Sequence, residues 1–238
     1  MDNTTNYREY LPDDGFAGTL IGRVRVPAAM TGTVAGPSPV LITEGGVYDL
    51  GPVAPTTAAL LNRGFRQSNA ETSRLARLGS YSEIMANTMA EQRDREQPYF
   101  LTPVDLQAVK ACGVTFMVSM LERVIEERAG GDLVKAKAVR EQIGARIDAE
   151  ITSIVPGSPE AEQLKMLLIE EGLWSQYLEV GIGPYAEVFT KAQPLSAVGA
   201  GDFVGIHPDS SWNNPEPEVV LLVNRRAEIV GATLGNDV

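Results

Sequence analysis

The chain has 238 residues, 44% of them hydrophobic, and its 31 acidic and 20 basic side chains give a formal charge of −11. That is enough for one large domain or two modest ones with a sizeable core, and an acidic balance without a long basic stripe argues against nucleic acid or anionic membrane as partners. Cys112 is the single cysteine, so no disulfide can close within the chain; no cationic-then-apolar leader and no run of about 18 apolar residues is present, and a soluble, unexported, cytoplasmic protein is predicted.

The first fifty or so residues read as β-rich. From Thr19 to Val26 the residues alternate, with Leu20, Val24 and Val26 on one face and Arg23 and Arg25 on the other, which predicts a half-exposed strand. VLITEGGVYDL, residues 40 to 50, predicts a hairpin whose Gly45-Gly46 pair supplies positive φ at the turn. From about residue 56 the pattern turns helical, in TTAALLNRG and then SYSEIMANTMAEQ. Farther on, Met117, Met120, Leu121, Val124 and Arg128 recur at three- and four-residue steps and predict one helix face, which Gly130-Gly131 ends. Ser119, Glu122 and Glu126 share another face, which by position alone reads as the solvent side. Asp132 is placed to cap a second helix with a Val139, Ile143, Ile147 and Ile151 stripe, and Ser158-Pro159-Glu160 opens a third. After Gly183 the chain reads as strand and turn, and it finishes on a hairpin, EVVLLVN, a turn through Arg225 to Ala227, then EIVGATLGNDV. The expected fold class is α+β, with a small β-rich N-terminal subdomain over residues 1–98 and a second domain over 99–238. The stop at GNDV, directly after a strand, reads as an incomplete C-terminal end.

Val219 to Val223 is an unbroken apolar run of the kind that lies deep in a sheet, and Glu216 and Glu218 stand just before it, separated by Pro217. Side chains two apart on a strand point the same way, with Cα atoms roughly 6.6 Å apart. The final hairpin folds Asp237 back beside them. Three converging oxygen donors, with no thiol and no histidine pair, suit a hard divalent cation: magnesium, with manganese or calcium as alternatives. On spacing alone, E-x-E with a distant D more often describes a solvated rim.

The surrounding residues add a resemblance. DSSWNNPEPEVVLLVNRRAEIVGATLGNDV resembles the metal-binding segment of the fumarylacetoacetate hydrolase superfamily, which carries E-x-E on one strand and an aspartate after the next hairpin. WNNPEPE is similar to the form found in the superfamily's sugar-acid branch, which dehydrates 2-keto-3-deoxy-pentonates such as 2-dehydro-3-deoxy-arabinonate. AEVFTKAQPLSAVGAGDFVGI and VKACGVTFMVSMLERVIEE also resemble family segments, so the likeness runs over roughly residues 100 to 238 and is strongest from 184 onward. It implies a C-terminal mixed β-roll, incomplete here because the family's lysine-bearing segment and threonine- and glycine-rich loop lie beyond the aspartate. It also implies a homo-oligomer and a small 2-oxo acid substrate.

Where the family's C–C bond hydrolases carry a histidine and a glutamate three apart, this chain has Ser119 and Glu122. The base for a carbonyl-attacking hydroxide is missing, which favours a lyase over a hydrolase. The resemblance thus implies Glu216, Glu218 and Asp237 as metal ligands, Glu122 as the proton-transferring group and Ser119 as a substrate-binding residue. Metal chelation of the 2-oxo acid would acidify C3; enolate formation, loss of the C4 hydroxyl and tautomerisation would yield 2,5-dioxopentanoate. Two alternatives stay open: a hydrolase or decarboxylase of 2,4-diketo acids, and an inactive metal- or sugar-acid-binding fragment. His207 reads as a structural or exposed loop residue, Cys112 as a buried packing thiol, and Lys191 either as a family lysine or as an ordinary surface cation.

Overall fold

The computed structural model describes residues 7–32, 34–66, 72–113, 117–144, 154–170, 172–210, 213 and 215–238. The chain divides into two compact units, residues 1–109 with 192–238, and residues 110–191. Helices and antiparallel sheets are both present, as expected for an α+β chain. No described helix is long and apolar enough to cross a membrane.

The first unit is built on five strands: β1 (Leu20–Val26), β2 (Gly36–Thr43), β3 (Gly46–Asp49), β4 (Arg77–Gly79) and β5 (Tyr99–Leu101), in the order β4-β3-β2-β1-β5 and paired antiparallel throughout. The alternation read from β1 holds: Val24 and Val26 are buried, while the Arg23 and Arg25 guanidinium groups turn away and donate to the Val104 and Arg95 carbonyls, both at 3.1 Å. Between β2 and β3 the turn residues are Glu44 and Gly45, because Thr43 pairs with Gly46. Positive φ falls on Gly46 (140°) and not on Gly45, which corrects the expected pair: a Cβ at Gly46 would lie 2.9 Å from the Gly79 carbonyl oxygen, so this is where a side chain is excluded.

Both sheet faces are covered. Helix α3 (Tyr81–Met89) puts Tyr81, Ile84 and Met85 on a cluster with Val24, Val26, Val40 and Val47, while α2 (Thr57–Asn62) seats Leu60 with Leu41 and Leu50 behind it. A single-turn helix α1 (Ala28–Thr31) links β1 to β2. Each larger helix starts on a local acceptor. Thr56 Oγ1 receives the Ala59 N–H at 3.0 Å, and Ser80 and Glu83 form a reciprocal capping box. The buried carboxylate of Asp105 takes the Thr57 and Ala58 N–H groups at 2.6 and 3.0 Å, so the start of α2 is satisfied from a residue 48 positions away.

The second unit holds α4 (Met117–Ala129), α5 (Leu133–Gly144), α6 (Pro159–Glu170) and α7 (Gln176–Ile182), flanked by β6 (Val109–Cys112) and β7 (Val188–Ala192), which pair with each other. Asp132 Oδ1 accepts from the Val134 and Lys135 N–H groups and Ser158 Oγ from Ala161, as the capping signals predict. On α4 the buried face is Met120, Val124, Ile125 and Ala129. Arg128 is exposed and its guanidinium donates to the Gly172 carbonyl, so it leaves the expected apolar row. The Ile147 and Ile151 part of the predicted α5 stripe lies outside the described residues, as do the side chains of Met117, Leu121 and Ile143.

Candidate functional site

The last two strands, β8 (Glu216–Val223) and β9 (Ile229–Asp237), form a two-stranded antiparallel sheet in the first unit. Its connection is built by Asn224. The Asn224 N–H donates to the Glu228 carbonyl at 2.9 Å, and Asn224 Oδ1 receives the Arg226 and Glu228 N–H groups at 2.9 and 3.1 Å. Arg225, Arg226 and Ala227 make the loop, with Ala227 left-handed at φ 61°. That is a three-residue hairpin connection with its last residue in the position glycine ordinarily takes. The Arg225 N–H donates to Asn62 Oδ1 at 2.8 Å, tying the loop to the end of α2.

This turn, together with a one-residue shift in pairing between Leu222 and Val223, sets the register on which the site depends. Glu216 pairs with Asp237, and Glu218 with Gly235. Directly opposed residues on antiparallel strands share a face, and so do residues two apart, so Glu216, Glu218 and Asp237 all project from one side of the hairpin mouth. The opposed pair has Cβ atoms about 5 Å apart and the diagonal neighbour lies about 7–8 Å away. Gly235 contributes no side chain to that face; a Cβ there would fall 2.8 Å from Val220 Cγ2. In donor chemistry and backbone placement the three acids fit a hard divalent cation. Among the described residues, however, no three His, Cys, Asp or Glu side chains are gathered closely enough to hold an ion.

The apolar run behind them departs from expectation. Val219, Leu221 and Val223 are 70%, 52% and 51% exposed, and only Val220 and Leu222 are partly covered. The run is continuous in sequence, yet successive side chains of a strand point to opposite faces of the two-stranded sheet, so that alternate residues of the run lie open to solvent. The described C-terminal strands β8 and β9 form a two-stranded sheet of their own.

Glu122 lies on α4, where both its oxygens accept from Arg140 of α5: Oε2 from Nη2 at 2.6 Å and Oε1 from Nε at 3.3 Å. The pair is about half exposed, and the hydrogen bond to Glu122 raises the Arg140 pKa. Sequence periodicity missed this partner because it comes from a different helix, 18 residues on. Ser119 belongs to α4 by its backbone, and its side chain lies outside the described residues, as do Trp212 and Asn214 of the WNNPEPE segment. His207 is exposed and its Nδ1 receives the Asp209 N–H at 3.2 Å, a local loop contact. Cys112 is exposed rather than buried, since it sits on a two-stranded sheet. Lys191 Nζ lies 5.6 Å from the centre of the Phe189 ring.

Two alignments relate part of the chain to curated proteins. One is 45% identical over 69 residues to the probable 2-keto-3-deoxyxylonate dehydratase of Haloferax volcanii, covering 29% of this chain and 24% of that protein. The other is 38% identical over 52 residues to the 2-dehydro-3-deoxy-D-arabinonate dehydratase of Saccharolobus solfataricus, covering 22% of this chain and 17% of that protein. The matched stretches thus span a quarter or less of these relatives. No family model and no solved structure matches the chain.

Proposed function

We propose that the chain takes part in magnesium-dependent dehydration of 2-keto-3-deoxy sugar acids, giving 2,5-dioxopentanoate from a pentonate, as a hydro-lyase of the fumarylacetoacetate hydrolase type. The observation that carries the reading is the pairing of Glu216 with Asp237, with Glu218 on the same face. Similarity to two proteins named as dehydratases of such acids supports the substrate class.

In this reading Glu216, Glu218 and Asp237 hold the cation. If bound there, the cation would supply Lewis acidity to a 2-oxo acid, from which a C3 proton and the C4 hydroxyl would leave as water. Glu122 is assigned proton transfer and Ser119 substrate binding by resemblance to the family. Both oxygens of Glu122 accept from Arg140, so its role requires that ion pair to loosen. Residues 99–238 form the catalytic segment, and a cytoplasmic homo-oligomer is the expected form.

The test is binding of Mn2+ as a paramagnetic probe, followed by product analysis. Glu218→Gln is expected to weaken Mn2+ binding by at least roughly tenfold, equivalent to about 1.4 kcal/mol, and to reduce turnover with it. Unchanged binding refutes the metal assignment. An aldehyde product identifies dehydration; release of two smaller acids from a diketo acid would favour the hydrolase instead.

A further inference from the structure

The Glu216 and Asp237 pair occupies the last rung of the β8–β9 ladder. Strand ends fray, and a one-residue slip here would turn every side chain of one strand to the opposite face, separating Glu216 and Glu218 from Asp237. The sequence weakens this end further, because the next residue, Pro217, has no N–H to give. The rung is nevertheless closed. The backbone N–H of Glu216 donates to Oδ1 of Asn236 at 2.8 Å. Only the amide oxygen can accept an N–H, so the contact fixes which way the carboxamide points. Asn236 is opposite Pro217 and therefore on the face turned away from the three acids, where it is exposed. Its side chain is thus free to clamp the backbone without entering the acidic face.

We propose that Asn236 is a positioning residue for the metal carboxylates: by accepting the Glu216 N–H it locks the register that places Glu216, Glu218 and Asp237 on one face. The proposal rests on the metal reading above. In any slipped register the Asn236 oxygen meets a different backbone group, so this bond is specific to the arrangement that assembles the acids. Its contribution is to pre-organise the backbone that carries the three acids.

The experiment measures Mn2+ affinity by electron paramagnetic resonance for the intact protein, Asn236→Ala, Asn236→Asp, Asn236→Gln and Glu218→Gln, with thermal unfolding of each variant in chelator. Asn236→Ala is expected to weaken Mn2+ binding roughly two- to tenfold, the effect of one net hydrogen bond. Its metal-free unfolding temperature should fall by no more than about 5 °C. Asn236→Asp keeps an acceptor oxygen at the same reach and should bind at least as tightly as the parent. Asn236→Gln keeps the amide but misplaces it by one methylene and should weaken binding as alanine does. Parental affinity in both Asn236→Ala and Asn236→Gln, with Glu218→Gln impaired, overturns the positioning role alone. Equal weakening in the Asp variant also overturns it, as does a larger fall in metal-free stability that accounts for the lost affinity. Unimpaired binding in Glu218→Gln removes the metal reading, and the clamp with it.

Discussion

Replacing Asn224 with alanine should loosen the hairpin that aligns the three acids. Asn224 is only 8% exposed, and its Oδ1 accepts from two part-buried N–H groups, those of Arg226 and Glu228. Alanine leaves the backbone rungs Asn224 N–H to Glu228 and Ala227 N–H to Asn224 in place but strips both N–H groups of their acceptor. At about 1 kcal/mol for each unmet donor, the loss is about 2 kcal/mol. The Asn224 Nδ2 contact to Glu228 adds little, because the carboxylate can turn to water. Ala227 already holds a left-handed φ of 61°, a conformation costing roughly 1–2 kcal/mol for a residue with a Cβ, so the weakened loop is biased toward relaxing. Amide hydrogen exchange reads the result directly. Protection of the Arg226 and Glu228 amides and of the neighbouring β8–β9 ladder should fall roughly 30-fold, the equivalent of about 2 kcal/mol. Asn224→Asp keeps the acceptor beside Glu228 and should fall between parent and alanine. Exchange within about twofold of the parent in Asn224→Ala would mean that the carboxamide does not hold the turn, and the argument from loop to register would fail.

Gly235→Ala should destabilise the hairpin by about 1–2 kcal/mol, because the new Cβ would fall 2.8 Å from Val220 Cγ2 on a stiff β-branched side chain. Recovery in Val220→Ala/Gly235→Ala, followed by thermal unfolding, checks the cause. Arg140→Ala should leave stability nearly unchanged, since its ion pair with Glu122 is about half exposed; a clear loss in chemical denaturation would mean the pair anchors α5. The Ser80 side-chain hydrogen bond, with a smaller contribution from the Ser80 N–H, holds the Glu83 carboxyl below its ordinary value near 4.5. A lowered folded pKa gives stability that is present above the unfolded value and lost as pH falls through the folded one, so α3 should weaken as pH drops below about 4.5. Glu83→Gln should flatten that part of the acid limb when α3 protection is followed against pH, and an unchanged slope would dismiss the capping box as its source.

Several features could be read from residues a few positions apart. The β1 alternation, the Ser80/Glu83 box, the Asp132 cap and the Ser158 start need partners no more than four residues away, so side-chain type and spacing suffice to specify them. The hairpin mouth belongs with them in part. E-P-E, a short turn and G-N-D were enough to anticipate that Asp237 returns beside Glu216. The signal for Asn236 was also present, as an amide side chain immediately before the acid at a strand end, but a sequence does not say which face carries an ordinary surface asparagine and which backbone N–H lacks a partner.

What amino-acid order determined on its own was the alternation of acidic, apolar and turn residues, because strand and helix periods act over single elements. Tertiary structure alone decided that β5 lies beside β1, that Asp105 satisfies the start of α2, and that Glu122 is held by Arg140. It also decided that the apolar run of β8 is half open to water. Burial and long-range pairing depend on what packs against an element, and identical strands are core or surface according to their neighbours.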